Sequence, residues 1–345
     1  MDPLFKKAMV LTDLHFGRSG NSIVALQDNM DCLAWAMDKA LTWGAETCIF
    51  MGDWFDNRHS LNPVVVSASL DAMDALNAAF PRSYWFPGNH DLPFREKRDA
   101  ASIEFARNLP NIKIIRDPLT VDGVTFLPWL VGDEHKTIKN LKSRYVFGHL
   151  EMAGFLLNSR VEMPDGEHVI KPDQFVGQEY VFTGHFHLRQ SKRVGNTTVS
   201  YIGNPMPHNF TDAWDSDRGI MLLEWGKDPI FVNWDEAPLY RTVKLSELVA
   251  DPDKYLKPKM TVRATMDIVL GYEEMQELRD TLLSAYGLRK LELVHPAKVE
   301  TEQEFEQQVV YQSVDQIVEE GLKALDSAGL SKERLIEIYR SLAAD

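Results

Sequence analysis

The chain is expected to fold as a layered α/β sandwich, two sheets packed face to face and flanked by helices, followed by a small β-α-β domain and C-terminal helices. Three observations predict this. Strand-length apolar runs alternate with amphipathic helix-length runs as far as Asn111, after which short strands and turns take over. From Met260 the pattern becomes strand, helix, strand over a stretch too short for a second large core. Beyond Glu302 the chain is charged and helical.

The runs at 8–11, 48–51, 84–86, 145–147 and 180–182 read as strands. Val24, Met30, Leu33, Ala34, Met37 and Leu41 are spaced as one face of a helix ending near Gly44. Asn62-Pro63 is a helix start, with Asn as N-cap and Pro at the first helical position. That helix carries Val66, Leu70, Met73 and Leu76 and stops before Pro81. Val121-Asp122-Gly123-Val124 predicts a hairpin. A boundary near Pro238 divides residues 1–238 from a small domain over 239–300, in which Met260–Ile268 alternates as a strand, Tyr272–Tyr286 is helical and Lys290–Val294 is a further strand. Within 301–345, Val310, Val314, Ile317, Val318, Leu322 and Leu325 form an apolar stripe, and Ser331 caps a last helix. Two helices this short cannot bury both apolar faces alone, so this segment is expected to bind a partner.

At 44% hydrophobic and 10% aromatic residues the 345-residue chain is not a disordered one. No segment reaches the run of about 18 apolar residues that spans a bilayer, and the N-terminus lacks a signal-peptide layout. Cys32 and Cys48, both in apolar surroundings, read as buried free thiols; a cytoplasmic location is expected. A formal net charge of −14 counts against a nonspecific nucleic-acid binder. Basic residues nevertheless recur beside the histidine-bearing loops: Arg18, then Arg95, Lys97 and Arg98, then Arg189, Lys192 and Arg193. They are expected to form a basic rim around a site for an anionic substrate.

The chemistry is concentrated in five phrases, each after a strand: Asp13-Leu14-His15, Gly52-Asp53, Gly88-Asn89-His90-Asp91, Gly148-His149 and Gly184-His185-Phe186-His187. Residues two apart at a strand end point the same way, which suits Asp13 with His15, and His185 with His187, to one metal each. Asp53 can bridge two cations with its two oxygens. Asn89 and His149 add an amide oxygen and an imidazole. Seven oxygen and nitrogen ligands suit two divalent ions about 3.5–4 Å apart, the arrangement of phosphoester-cleaving sites. The absence of thiolate argues against structural zinc and for Mn2+ first, with Mg2+, Fe2+ or Zn2+ as alternatives. His90 adjoins a ligand and can act as an acid.

Taken in order, these phrases resemble the calcineurin-like metallophosphoesterase superfamily over roughly residues 8–210. The resemblance implies one metal held by Asp13, His15, Asp53 and His187, a second by Asp53, Asn89, His149 and His185, and His90 over the scissile phosphate. A narrower similarity is to the SbcD-type nuclease subunits of bacteria and phages. It rests on Asp53-Trp54-Phe55-Asp56, on the segment Tyr201 to Phe210 followed by Arg218-Gly219, on the small β-α-β unit and on the C-terminal helices; the length is closer to the phage members. It implies DNA as substrate in double-strand-break processing, a DNA-binding capping domain, a homodimer, and docking of residues 301–345 on an SMC-like (SbcC-type) ATPase, in the host cytoplasm if the chain is phage-encoded.

This chain departs from that pattern in two places. Asn204 stands where the family has serine, and Asp56 where some members carry an exonuclease-related histidine; His59, three residues on, is the other candidate for that role. His208 lies on a loop that could reach the site, and Trp54 and Trp129 flank site loops as candidates for stacking on a base. Two rival functions stand beside the nuclease: a metallophosphoesterase of small phosphodiesters or phosphoproteins, and a structural adaptor with a vestigial metal site.

Overall fold

A computed structural model of the chain describes residues 3–157, 161–166, 169–213, 215–295, 331 and 334. The chain divides into two compact units, Met1–Leu293 and Val294–Asp345. The helices expected over 301–345 lie outside the described residues apart from 331 and 334.

The first unit is built on two six-stranded sheets, a mixed α/β sandwich. In the first, β1 (Lys7–Leu11), β2 (Thr47–Phe50), β3 (Arg82–Trp85) and β4 (Ile112–Ile114) run parallel. β11 (Gly219–Glu224) and β12 (Ile230–Asn233) extend it antiparallel beyond β1. In the second, β6 (Val124–Leu127), β7 (Tyr145–His149), β8 (Tyr180–Gly184) and β10 (Thr197–Tyr201) are parallel, edged by β5 (Leu119–Val121) and β9 (Gln190–Val194). The hairpin from β5 to β6 turns on Asp122 at φ 44° and Gly123 at φ 80°, the left-handed pair that a two-residue turn matching the sheet twist requires.

Alternation along β1 assigns its two faces. Ala8 and Val10 pack with Phe126, Phe147 and Phe182 of the second sheet, whereas Met9 and Leu11 pack under the helices. Those helices are α2 (Ile23–Trp43) and α3 (Pro63–Ala79), preceded by one irregular turn, α1 (Arg18–Asn21). α2 is capped by Ser22 and ended by Gly44 at φ 89°, and α3 begins at the expected Asn62 cap with Pro63 behind it. The buried faces match expectation in part: Leu33, Met73 and Leu76 are buried, and Met30 and Met37 pack partly buried against the core. Val24 and Leu41 are exposed, and α2 turns inward Ala25, Leu26, Asp28, Asn29, Cys32 and Ala36. On α3, Val65, Ser69 and Ala72 are buried while Leu70 is exposed. Polar residues join Leu26, Leu33, Met73 and Leu76 in the contact because Asp28 and Asn29 have partners in Arg289 and Arg18.

Among the described residues, α2 and α3 flank the first sheet, whereas the outer face of the second is covered by a 3-10 turn over Gly132–Asn140 carrying Ile138 and by irregular chain bearing Leu150, Met152, Phe155, Ile170 and Phe175. A third sheet follows within the first unit: β13 (Tyr240–Lys244), β14 (Thr261–Thr265) and β15 (Lys290–Val294), backed by α6 (Tyr272–Tyr286). Two short helices, α4 (Leu245–Ala250) and α5 (Pro252–Tyr255), link β13 to β14. This sheet has its own core, centred on Val243, Leu248, Met260, Val262 and Leu282. Arg289, one residue before β15, reaches Asp28 of α2 with both guanidinium nitrogens. Cys32 and Cys48 are buried and unbridged. Among the described residues no helix is long and apolar enough to cross a membrane.

Candidate active site

The carboxyl ends of β1, β2 and β3 in one sheet, and of β7 and β8 in the other, meet at one edge of the sandwich. Open parallel sheets place their binding loops at this edge. Hydrogen bonds between neighbouring loops fix their heights: Asp13 N–H donates to the Gly52 carbonyl at 3.0 Å, His15 N–H to that of Asp53 at 3.1 Å and Phe16 N–H to that of Trp54 at 2.7 Å. Asp91 ties the third loop to the second, its carboxylate accepting from the N–H groups of Asp53 (2.7 Å), Trp54 (3.0 Å) and Gly88 (3.0 Å). The loops approach so closely that Gly88 has no room for a side chain. A Cβ there would meet Asp53 Oδ1 head-on and lie 2.7 Å from His149 Cε1.

The backbone is strained where the ligands sit. Among the described residues, eight non-glycine positions have positive φ, and four of them are Asp13 (54°), His15 (49°), Asp53 (60°) and His185 (92°). Each costs on the order of 1 kcal/mol or more and persists only where surrounding contacts enforce it.

All seven expected ligands come together. His15 Nε2 lies 3.8 Å from Asp13 Oδ1 and 3.5 Å from Asp53 Oδ2; His149 Nε2 lies 3.3 Å from the same Asp53 oxygen and 3.1 Å from Asn89 Oδ1. Asp53 Oδ2 lies between the two histidines, and Oδ1 accepts the His90 N–H at 2.8 Å. His185 joins Asp53 and His149 in one group of potential ligand atoms. The His185 N–H donates to the Asp13 carboxylate. His187 Nδ1 is 3.5 Å from Asp212 Oδ2.

A divalent cation fits this donor set. The separations of 3.3–3.8 Å are long for hydrogen bonds but match donors sharing one ion, which sit about 3.4 Å apart when tetrahedral bonds are about 2.1 Å. Both ring nitrogens of His15, and Nε2 of His185, are buried without a hydrogen-bond partner among the described residues. The field also suits a cation. Burial pulls the His15 imidazole down, but the carboxylates of Asp13, Asp56 and Asp53 outweigh it and hold it up at about 10. Burial is likewise outweighed at His149, held up at about 9 chiefly by Asp53. Two buried carboxylates, Asp13 and Asp53, together with the part-exposed Asp56, thus attract positive charge, and protons take that place when no metal does.

His90 stands apart. Its Nδ1 lies 2.6 Å from the Asp56 carbonyl oxygen, to which it donates, leaving Nε2 turned away. Burial, helped by the positive charges of His15 and Arg58, pushes it down to about 4 against Asp53 and the carbonyl. Asp56 also steadies His15, with Oδ1 3.4 Å from its Nδ1, the carboxylate–histidine arrangement that orients metal ligands. His59 is exposed on the turn beyond and belongs to no ligand group.

The basic rim is smaller than expected, and three of its members are corrections. Arg18 is 4% exposed, bonded to Asn29 and Met206 and 3.6 Å from Asp28; it points into the core because α1 turns back beneath the site. Arg98 is held by Glu134 and the Trp129 carbonyl. Arg189 is spent on the Ile202 carbonyl and Asn233. Lys192 is exposed but donates to the Gly154 carbonyl. Lys97 is exposed, and Arg95 lies 4.9 Å above the Trp129 ring, itself 5.1 Å from His185. Trp54 is a further correction. It is wholly buried against Phe16 and Trp85 and cannot stack on a base.

Other site residues were missed. Arg58 lies close to Arg95 and Asp53; burial first, then Arg95, pulls it down. Glu151, two residues after His149, is 3.7 Å from His185 Nε2. Asp212 is buried beside His187 and Arg218. Asp91 was visible within the third phrase, but nothing in sequence showed that its carboxylate gathers backbone donors.

The calcineurin-like phosphoesterase family model matches residues 6–189, more than half the chain. The chain belongs to that family. It is therefore a metallophosphoesterase, a metal-dependent hydrolase of phosphoesters. No curated protein matches the chain. Solved structures similar to it include an archaeal phosphodiesterase (13% identity over 66% of this chain and 99% of that one, TM-score 0.34). Others are the phosphoesterase Yfce of E. coli (15%, 67% and 94%, 0.34) and the phosphopantetheinyl hydrolase PptH of Mycobacterium tuberculosis (12%, 59% and 92%, 0.33).

Proposed function

We propose that this metallophosphoesterase is a Mn2+-dependent DNA nuclease subunit, working with an SMC-like ATPase in double-strand-break processing. The observation that carries hydrolysis of a phosphodiester is the convergence of seven ligand-type side chains around Asp53, whose Oδ2 lies between His15 and His149, with His90 beside them. Asp13, His15, Asp53 and His187 would hold one ion and Asp53, Asn89, His149 and His185 the other. When bound, the ions supply Lewis-acid neutralisation of phosphate charge and a nucleophile at neutral pH.

The protein's own part is orientation and proton transfer. The Asp56 carbonyl holds the Nδ1 proton of His90, so Nε2 is the atom that exchanges a proton with substrate. A bound phosphodiester brings negative charge against the burial that pushes His90 down, favouring protonation at Nε2 and delivery to the leaving oxygen. Arg58, Arg95 and Lys97 remain to hold the flanking backbone, and the Arg95–Trp129 pair offers a surface on which a base can stack. DNA as substrate is supported by the nuclease-like phrases and the third sheet beyond the site. Docking of the ATPase on residues 301–345 and dimerisation complete the proposal.

A second reading, hydrolysis of small phosphodiesters, is favoured by the net charge of −14 and by the internal pairing of Arg18, Arg98 and Arg189. Cleavage of end-labelled duplex DNA with Mn2+ separates the two. The nuclease reading expects short products from wild type and a fall of about 10²–10⁴-fold in His90→Ala. Fast hydrolysis of bis-p-nitrophenyl phosphate, with intact DNA even when the ATPase is added, would refute it.

A further inference from the structure

We propose that His208 is an additional metal-binding side chain, making with His15 and His187 a three-histidine seat at the first metal position. The inference rests on the metallophosphoesterase reading and deepens it. His208 lies outside the five phrases, on the segment after β10, yet its ring centroid is 5.0 Å from that of His15 and 4.8 Å from that of His187. One ligand atom from each of the three lies within 4.8 Å of the others.

His208 is only 7% exposed, and its Nε2 is buried with no hydrogen-bond partner among the described residues. A buried polar nitrogen left without a partner calls for an unseen one. Its neighbours on this side are the imidazoles of His15 and His187 and the guanidinium groups of Arg18 and Arg218, which offer donors or other lone-pair nitrogens; a cation satisfies all three rings together. The backbone positions the ring. His208 N–H donates to Asp212 Oδ2 at 2.8 Å, and the same oxygen lies 3.5 Å from His187 Nδ1, so one buried carboxylate sets both histidines. Asp212 is in turn fixed by Asn204 Nδ2 at 3.2 Å and by Arg218. Asn204 therefore has a role here that a shorter serine could not fill.

A third imidazole changes what the position prefers. Nitrogen donors raise affinity for Zn2+, Fe2+ and Co2+ far more than for Mg2+, whereas the second position, with Asn89 and two histidines, is left unaltered. The two positions should therefore differ in selectivity.

The test is metal titration of the full chain, with Co2+ followed by visible absorption and Zn2+ and Mn2+ by calorimetry. Wild type is compared with His208→Ala and His208→Gln. The expected result is that one of two Co2+ sites weakens about 10–100-fold in both variants with a changed d–d spectrum. The other site should be unchanged, and Mn2+ affinity should fall less. Because the Asp212 bond comes from the His208 backbone, metal-free melting should match wild type, which distinguishes a lost ligand from a misfolded loop. Identical Co2+ spectra and affinities in all three proteins would overturn the role of His208 while leaving the two-metal site intact. Wild type that binds no metal would overturn both.

Discussion

Asp91 is the side chain whose removal should cost the site most without touching a ligand. Its two oxygens accept from the backbone N–H groups of Asp53, Trp54 and Gly88 at 2.7–3.0 Å and from Ser102 Oγ at 3.1 Å, all buried or nearly so. In Asp91→Ala three buried amides lose their acceptor. At about 1–3 kcal/mol each, with water refilling part of the space, the loss should be about 3–5 kcal/mol. Asp91→Asn keeps one oxygen and should lose about half of that. The pH dependence sharpens the test. Burial first, then the charge of Asp53, pushes the Asp91 carboxyl up to about 6 from 3.8. A carboxyl raised in the folded state contributes most when protonated, and that contribution is lost as pH rises from about 4 through 6. The Asn substitution should therefore be less damaging at pH 7 than at pH 4. Urea unfolding of the EDTA-treated protein at both pH values is the assay. A loss below 1 kcal/mol in Asp91→Ala at pH 4, or a penalty for Asn that grows with pH, would refute the reasoning.

Two further substitutions probe how the site is held. Gly184→Ala places a methyl against Thr12 Oγ1 and 2.8 Å from Asp13 Oδ2, so it should part the His185 N–H from the Asp13 carboxylate and weaken metal binding about 10–100-fold; calorimetric titration with Mn2+ checks this, and unchanged affinity contradicts it. Asp28→Ala strands the buried Arg18 and should cost about 3–5 kcal/mol in urea unfolding. Arg289→Ala, which removes only a partly exposed partner of the same carboxylate, should cost about 1 kcal/mol, and equal losses would show that the burial of Arg18 is not what Asp28 offsets.

The five phrases were legible because each puts a ligand-type side chain at a strand end, and four of them join it to a glycine, which lets loops meet. That combination has few other uses. The inward face of α2 was legible only in part. Hydrophobic periodicity selected Leu33, Met30 and Met37 correctly but also Val24 and Leu41, whereas packing selected Asp28 and Asn29, whose partners Arg18 and Arg289 come from elsewhere in the chain. The same blindness misplaced Arg18 in the rim, since a charge following a ligand looks alike whether it faces solvent or a buried carboxylate. His208 was seen only as a residue within reach, because the segment from β10 to β11 has no periodicity to say which way it folds. Arg58 carries no sequence signal beyond its distance from Asp53.

Trp54 shows why the ligand loops can bear strain. Directly after Asp13-Leu14-His15 and Gly52-Asp53, the next residues, Phe16 and Trp54, turn inward and stack at 4.9 Å, with Trp85 a further 4.8 Å below Trp54. Trp54 Nε1 donates to Ser69 Oγ of α3 at 2.7 Å, anchoring the stack to the helix layer. Three of the four strained ligands, His15, Asp53 and His185, are thus each followed by a large buried aromatic ring, Phe16, Trp54 and Phe186, and displacing the ligand would mean withdrawing that ring. Burying rings of this size is worth several kcal/mol, more than the strain of about 1–3 kcal/mol per residue. The ligand positions are therefore set by core packing before any metal arrives. This is why His15, Asp53 and His185 can keep conformations that their own backbones disfavour.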